Sequence, residues 1–148
     1  MKSMTINYAK KWGIDSNLLV YFLDADSKFH QPTITLFKDL LKHRTPTYTT
    51  QNNIIEAHRV LVSLYHIPQK IALENIVEII NSFNIHIVTP SSLTLNIYSN
   101  FCQLSKKNDL FDFYFASILV DNNIHHLFTN NTKDFAGLKK HLIVHSPF

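Results

Sequence analysis

The sequence predicts an α/β domain, a parallel sheet covered by helices, and three observations carry that reading. Short β-prone runs alternate with amphipathic stretches of helical spacing from Lys11 to His145. The runs lie far enough apart for a helix to cross between them, which is how parallel strands are joined. Of 148 residues, 45% are hydrophobic and 17% charged, enough to fill one core and too apolar for a disordered chain. The expected organisation is a single domain over 1–148, with residues 1–10 as an amino-terminal leader.

Each element has a local reason. Lys11 to Ile14 is extended and ends at Asp15, and Trp12-Gly13 interrupts its apolar run. Ser16 to Leu23 reads as a helix with Asp15 or Ser16 as its cap. Pro32 to His43 is amphipathic: proline suits a first turn, and Ile34, Leu36, Phe37, Leu40 and Leu41 recur at helical spacing. Thr45 to Thr50 is β-prone. Asn52 to Tyr65 is a helix with Ile54, Ile55, Val60, Leu61 and Leu64 inward, and Pro68 opens another that runs to Phe83. Ile85, Ile87 and Val88 form a strand stopped by Pro90. Ser91 or Ser92 caps a helix to Leu104, and Asp109 caps one from Leu110 to Asp121. Asn122-Asn123 ends that helix in a left-handed turn. His125 to Thr129 and Leu142 to His145 are the last strands.

Composition removes several functions. Glycine occurs only at 13 and 137, so no phosphate loop or dinucleotide fingerprint can be built. Cys102 is the sole cysteine, which excludes an internal disulfide and fits a reducing cytoplasm. No run approaches the ~20 apolar residues of a membrane span, and MKSMTINYAKKW is not a secretory signal. A net charge of +3 permits a nucleic-acid partner without requiring one. The lysine pairs Lys10-Lys11, Lys106-Lys107 and Lys139-Lys140 read as solvated surface or as phosphate contacts. The nine histidines show no HExxH pattern, and His125-His126 point to opposite faces of a strand.

Four acids stand out among 11 carboxylates: Asp15, Glu56, Asp112 and Asp134. Each lies just past an apolar run or in the first turns of the following helix, at the edge where α/β sheets bind ligands. Carboxylates gathered there repel one another, and a hard divalent cation relieves that repulsion. A Mg²⁺ or Mn²⁺ site for phosphoryl chemistry is the expectation. Local readings also exist: Asp15 as a helix cap, Asp112 at a helix dipole, Glu56 paired with Arg59. Asp24, Asp26, Asp39, Glu74, Glu78 and Asp121 read as surface charges. Phe111, Phe113, Tyr114 and Phe115 are a stacking platform or, at helical spacing, core.

Three stretches resemble the PIN domain and, within it, the VapC-type toxins of toxin–antitoxin pairs. They are IDSNLLVYFLD, NNIIEAHRVL and LFDFYFASILVDNNIHHLFTNNTKDF. The resemblance implies a three-layer α/β/α domain with a central parallel sheet of order 3-2-1-4-5. It implies a Mg²⁺- or Mn²⁺-dependent endoribonuclease in which Asp15, Glu56 and Asp112 hold the metal. Ser16 and Asn17 match the residues after the first aspartate, and Thr129, Asn130 and Asn131 match the turn after a late strand. Many relatives carry an aspartate where this chain has Asn131, and Asp134 matches an acid that serves in a subset. RNA as substrate, a protein antitoxin and a homodimer are implied as partners. A different enzyme class is suggested by VYFLDAD: a strand ending in Asp24-x-Asp26 opens haloacid-dehalogenase-type phosphatases, with Thr50, Lys106 and Asp109 or Asp112 as further candidates. A degenerate, non-catalytic binding scaffold is the third reading.

Overall fold

The computed structural model describes residues 5–104 and 110–148. The expected cap at Asp109 and the pair Lys106-Lys107 lie outside the described residues.

Five short strands form one sheet: β1 (Trp12–Ile14), β2 (Thr47–Thr50), β3 (Ile85–Val88), β4 (His126–Phe128) and β5 (Ile143–His145). All neighbours pair in parallel, in the order β3-β2-β1-β4-β5. The expected order is therefore the one found. Between the strands run α1 (Ser16–Leu23), α2 (His30–Lys42), α3 (Gln51–Ser63), α4 (Gln69–Ser82), α5 (Thr94–Leu104), α6 (Leu110–Asp121) and a 3₁₀ helix (Thr132–Leu138). The 3₁₀ helix is an element that periodicity did not indicate.

Alternation along the strands sorts the core onto two faces. Trp12, Ile14, Phe128 and Ile85 face helices α1 to α4, where Leu18, Leu19, Phe37, Ala57, Leu61 and Ile76 are buried. Leu127, Tyr48 and Val144 face α5, α6 and the 3₁₀ helix, among Phe101, Phe113, Phe115, Leu119, Phe135 and Leu138. Three α/β/α layers result. Gly13 explains the break in the first strand: a Cβ there would lie 2.7 Å from Leu119 Cδ1 and 3.3 Å from Leu127 Cδ1. The missing side chain lets α6 sit close against the sheet. Trp12 fills the opposite face, stacked on Phe128 at 4.0 Å between ring centroids.

The leader residues that are described join the fold. Ile6 and Tyr8 pack on the first core cluster, and Tyr8 stacks on His43. Thr45 Oγ1 donates to the Tyr8 carbonyl, and Trp12 Nε1 donates to the Asn7 carbonyl. Pro32 lies in the first turn of α2, where a missing N–H goes unneeded. Asn123 takes the expected left-handed conformation, φ 60°. Two apolar residues placed inward by spacing, Ile55 and Leu64, are instead exposed, as is Leu41 of the α2 pattern. Asp121 is not a free surface charge. Its Oδ2 accepts from Ser91 N, Ser91 Oγ and Thr94 Oγ1, which clamps the end of α6 to the start of α5 and holds its carboxyl below the usual range.

Candidate active site

The strand order reverses between β1 and β4, and both strands end at the same sheet edge. Asp15 follows β1 and Thr129 follows β4. Asp15 N donates to the Phe128 carbonyl at 3.1 Å, which extends the ladder by one bond and fixes the aspartate at the switch point.

Asp15 is 4% exposed and its carboxylate is held from three elements. Oδ1 accepts from Ser16 N at 2.7 Å, at the amino terminus of α1, and from Asn53 Nδ2 of α3 at 3.3 Å. Oδ2 accepts from Thr129 Oγ1 at 2.7 Å. Thr129 Oγ1 in turn accepts from Asn17 Nδ2 and Asn131 N. Desolvation outweighs these bonds and, with the charge of Glu56, lifts the Asp15 carboxyl from its ordinary 3.8 to about 6. The local capping role of Asp15 is thus real, but capping alone does not require so complete a burial.

Asn53 couples Asp15 to an open cleft of about 570 Å³. One wall is α3. Asn52, Ile55, Glu56 and Arg59 stand at i, i+3, i+4 and i+7, one helical stripe, while Ile54, Ala57 and Leu61 point to the core. This spacing places Ile55 beside Glu56 on the cleft face. The other wall is the start of α6, with Leu110, Phe111, Asp112 and Phe115. Thr50 sets α3 in place: its Oγ1 accepts from Asn53 N at 3.2 Å and donates to Asn53 Oδ1 at 2.5 Å. Among the described residues, Glu56 and Arg59 do not form the expected ion pair, and the pair that forms is Lys70–Glu74.

The structure thus brings Glu56 and Asp112 to facing walls of one cleft and sets Asp15 behind Asn53 at its root. Asp134 does not line the cleft; its N–H donates to the Asn131 carbonyl in the first turn of the 3₁₀ helix. Asn130 Nδ2 donates to Tyr21 Oη, a bond to α1 and not to the acids. Ser16 is buried beside Asp15. Among the described residues, no three His, Cys, Asp or Glu side chains are gathered tightly enough to enclose a metal ion. The donor set nevertheless suits a hard cation bound by one or two carboxylates and several waters. Asn17 Oδ1, buried and with no hydrogen-bond partner among the described residues, is a further oxygen at that spot. Sequence reasoning passed over Asn53, although its position three residues after the Thr50 cap is a readable signal.

The phosphatase reading fails on geometry. Val20 to Leu23 belongs to α1, not to a strand, and Asp24 caps that helix and accepts from Tyr65 Oη at 2.7 Å. This bond pushes the Tyr65 phenol up to about 12.

No protein-family model and no curated protein matches the sequence. Solved structures match in fold. A chain of FitAcB from Neisseria gonorrhoeae superposes with a TM-score of 0.68 at 16% identity, covering 92% of this chain and 97% of that one. A chain of VapBC2 from Rickettsia felis, bound to a DNA fragment from their promoter, gives 0.65 at 19% identity over 92% and 98%. A toxin–antitoxin complex from Klebsiella pneumoniae gives 0.60 at 22% identity over 92% and 97%. The chain has a PIN-type fold. At such identities the likeness is one of backbone, and the chemistry has to be argued from the cleft. Among the described residues, no helix is long and apolar enough to cross a membrane.

Proposed function

We propose that this chain is a Mg²⁺- or Mn²⁺-dependent endoribonuclease and the toxin of a toxin–antitoxin pair, at work in the cytoplasm as a homodimer. The observation that carries the reading is Asp15, a carboxylate kept buried and driven to about 6 at the root of a cleft that also holds Glu56 and Asp112. A desolvated acid near a second acid is costly to keep and is characteristic of sites that bind cations or move protons. Asp15, Glu56 and Asp112 would hold the cation, with Asn17 nearby. The cation would offset phosphate charge and lower the pKa of a bound water.

The chain's own residues supply the rest. Thr129 and Asn53 fix the Asp15 carboxylate from opposite sides, and Thr50 fixes Asn53. Glu56 and Asp112 stand across the cleft where a phosphodiester strand would lie. Hydrolysis by water has no use for the 2′-hydroxyl, so a preference for RNA rests on contacts along the strand. Asp134 is not among the residues that line the cleft, and we leave it out of the cation's ligands and assign it to the first turn of the 3₁₀ helix. The antitoxin expectation is supported by the fold neighbours, one of which is itself a toxin–antitoxin complex.

The test is cleavage of end-labelled RNA by wild type and Asp112→Asn, with and without Mn²⁺. Cutting that needs both the metal and Asp112 supports the nuclease. Equal cutting by both proteins places the activity elsewhere. If calorimetry detects no Mn²⁺ binding at all, the domain is a non-catalytic scaffold.

A further inference from the structure

The aromatic run at the start of α6 divides in a way that spacing did not show. Phe113 and Phe115 are 1% and 4% exposed and belong to the second core cluster, whereas Phe111 is 87% exposed. A phenylalanine so open to water is costly, because burying such a side chain gains roughly 1.5–3 kcal/mol. Its position removes the oddity. Phe111 lines the cleft directly before Asp112, opposite the α3 stripe that carries Glu56 and Arg59. Arg59 forms no salt bridge among the described residues, so its guanidinium is free to meet an anion from outside.

We infer that Phe111 and Arg59 form a nucleotide subsite for single-stranded nucleic acid, the ring stacking one base and the guanidinium holding a backbone phosphate. The inference rests on reading the cleft as a phosphodiester site, and it names what selects the strand. Every element of the pair has a chemical counterpart in such a ligand. An exposed ring offers a face that every base can stack on, and a planar cation offers a fork for phosphate oxygens. A duplex would keep its bases stacked inside and leave the ring unused, so the subsite selects unpaired strands. A protein segment would need both an apolar cover for Phe111, Ile55 and Leu110 and a carboxylate placed for Arg59, whereas a single strand brings a base and a phosphate with every nucleotide. Charge complementarity therefore favours the strand.

The experiment uses the full chain with a chelator present, so that metal-dependent cutting cannot occur. Binding of a 12-nucleotide oligoadenylate and of an abasic strand with the same phosphates is measured by fluorescence anisotropy. Phe111→Leu should weaken oligoadenylate binding about 10-fold and leave the abasic strand unchanged, and Phe111→Trp should restore it. Arg59→Gln should weaken both strands and reduce the slope of log affinity against log salt by about 0.7, the value of one phosphate on a single strand. Unchanged melting temperatures would confirm that these exposed positions leave the fold intact. The inference is overturned if wild type does not bind oligoadenylate, if Phe111→Leu binds it normally, or if Phe111→Leu loses the abasic strand equally. Cleavage is scored separately with Mn²⁺. Cutting with a silent Phe111 keeps the nuclease and rejects the subsite, and Phe111-dependent binding without cutting does the reverse.

Discussion

Replacing Asp15 with asparagine should stabilise the metal-free protein at neutral pH. Asp15 carries a folded-state pKa of about 6 against an ordinary 3.8. Between those values the folded chain holds the proton more tightly than the unfolded chain. Stability from this group is therefore complete below about 3.8, falls as pH rises, and is lost above about 6. A shift of about two units corresponds to roughly 3 kcal/mol at pH 7. Asparagine keeps an oxygen for Ser16 N and Asn53 Nδ2, and it carries no charge to desolvate. Its NH₂ would meet Thr129 Oγ1, which already accepts from Asn17 Nδ2 and Asn131 N, so the bond to Thr129 is lost while those to Ser16 and Asn53 remain. In a chain of this length about 3 kcal/mol corresponds to a melting-temperature gain of roughly 5–10 °C. Thermal unfolding of wild type and Asp15→Asn in chelator, from pH 4 to pH 8, tests this. The difference should be near zero at pH 4 and widen to its full value by pH 7. A constant difference, or a less stable Asp15→Asn protein at pH 7, would refute the argument that burial of charge dominates this site. Adding Mn²⁺ at about 100 times its Kd should return about 2.7 kcal/mol to wild type and little to the variant.

Three other outcomes follow from the same structure. Gly13→Ala should lose about 1–3 kcal/mol in urea unfolding, because its methyl meets Leu119 Cδ1 at 2.7 Å inside a filled core. Asn53→Ala should leave the fold in place but weaken Mn²⁺ binding measured by calorimetry, since Asn53 links the Thr50 cap to the Asp15 carboxylate. His126 and His145 flank Trp12, and burial lowers both imidazole pKa values below 6.5, with Lys10 and His125 adding to the effect at His126. The unfolded chain takes these protons first, so this contribution is present above about pH 6.5 and is lost as pH falls. Emission of Trp12, the single tryptophan, should therefore change with acid in wild type and stay flat when both histidines are replaced by asparagine.

The helices and strands were legible because their apolar spacing is a local property. What was not legible depended on residues far away in the chain. Trp12-Gly13 looked like a fault in a strand, and its reason is Leu119, on a helix at the other end of the chain. Asp121 looked like a surface charge because its partners Ser91 and Thr94 precede it by 30 and 27 residues. Ile55 looked like core because α3 has apolar residues on two faces, and nothing local tells a core stripe from a cleft stripe. The acids proposed for the site were singled out by their positions at strand ends and by the resemblance, which both point to one sheet edge. Asn53 was missed because an amide three residues after a threonine reads as part of a cap, which it also is.

The fold by itself does not decide between a nuclease and a scaffold, because the backbone can persist after chemistry is lost. Asp15 does bear on the choice. A scaffold has no use for a carboxylate that opposes folding at neutral pH, and a single change to asparagine would remove the penalty while retaining most of the hydrogen bonds. The chain instead surrounds that acid with Thr129, Asn53 and Ser16 N and places Glu56 within electrostatic reach of it. If the metal-free protein proves no less stable at pH 7 than its Asp15→Asn variant, the site carries no such penalty, and the scaffold becomes the better account.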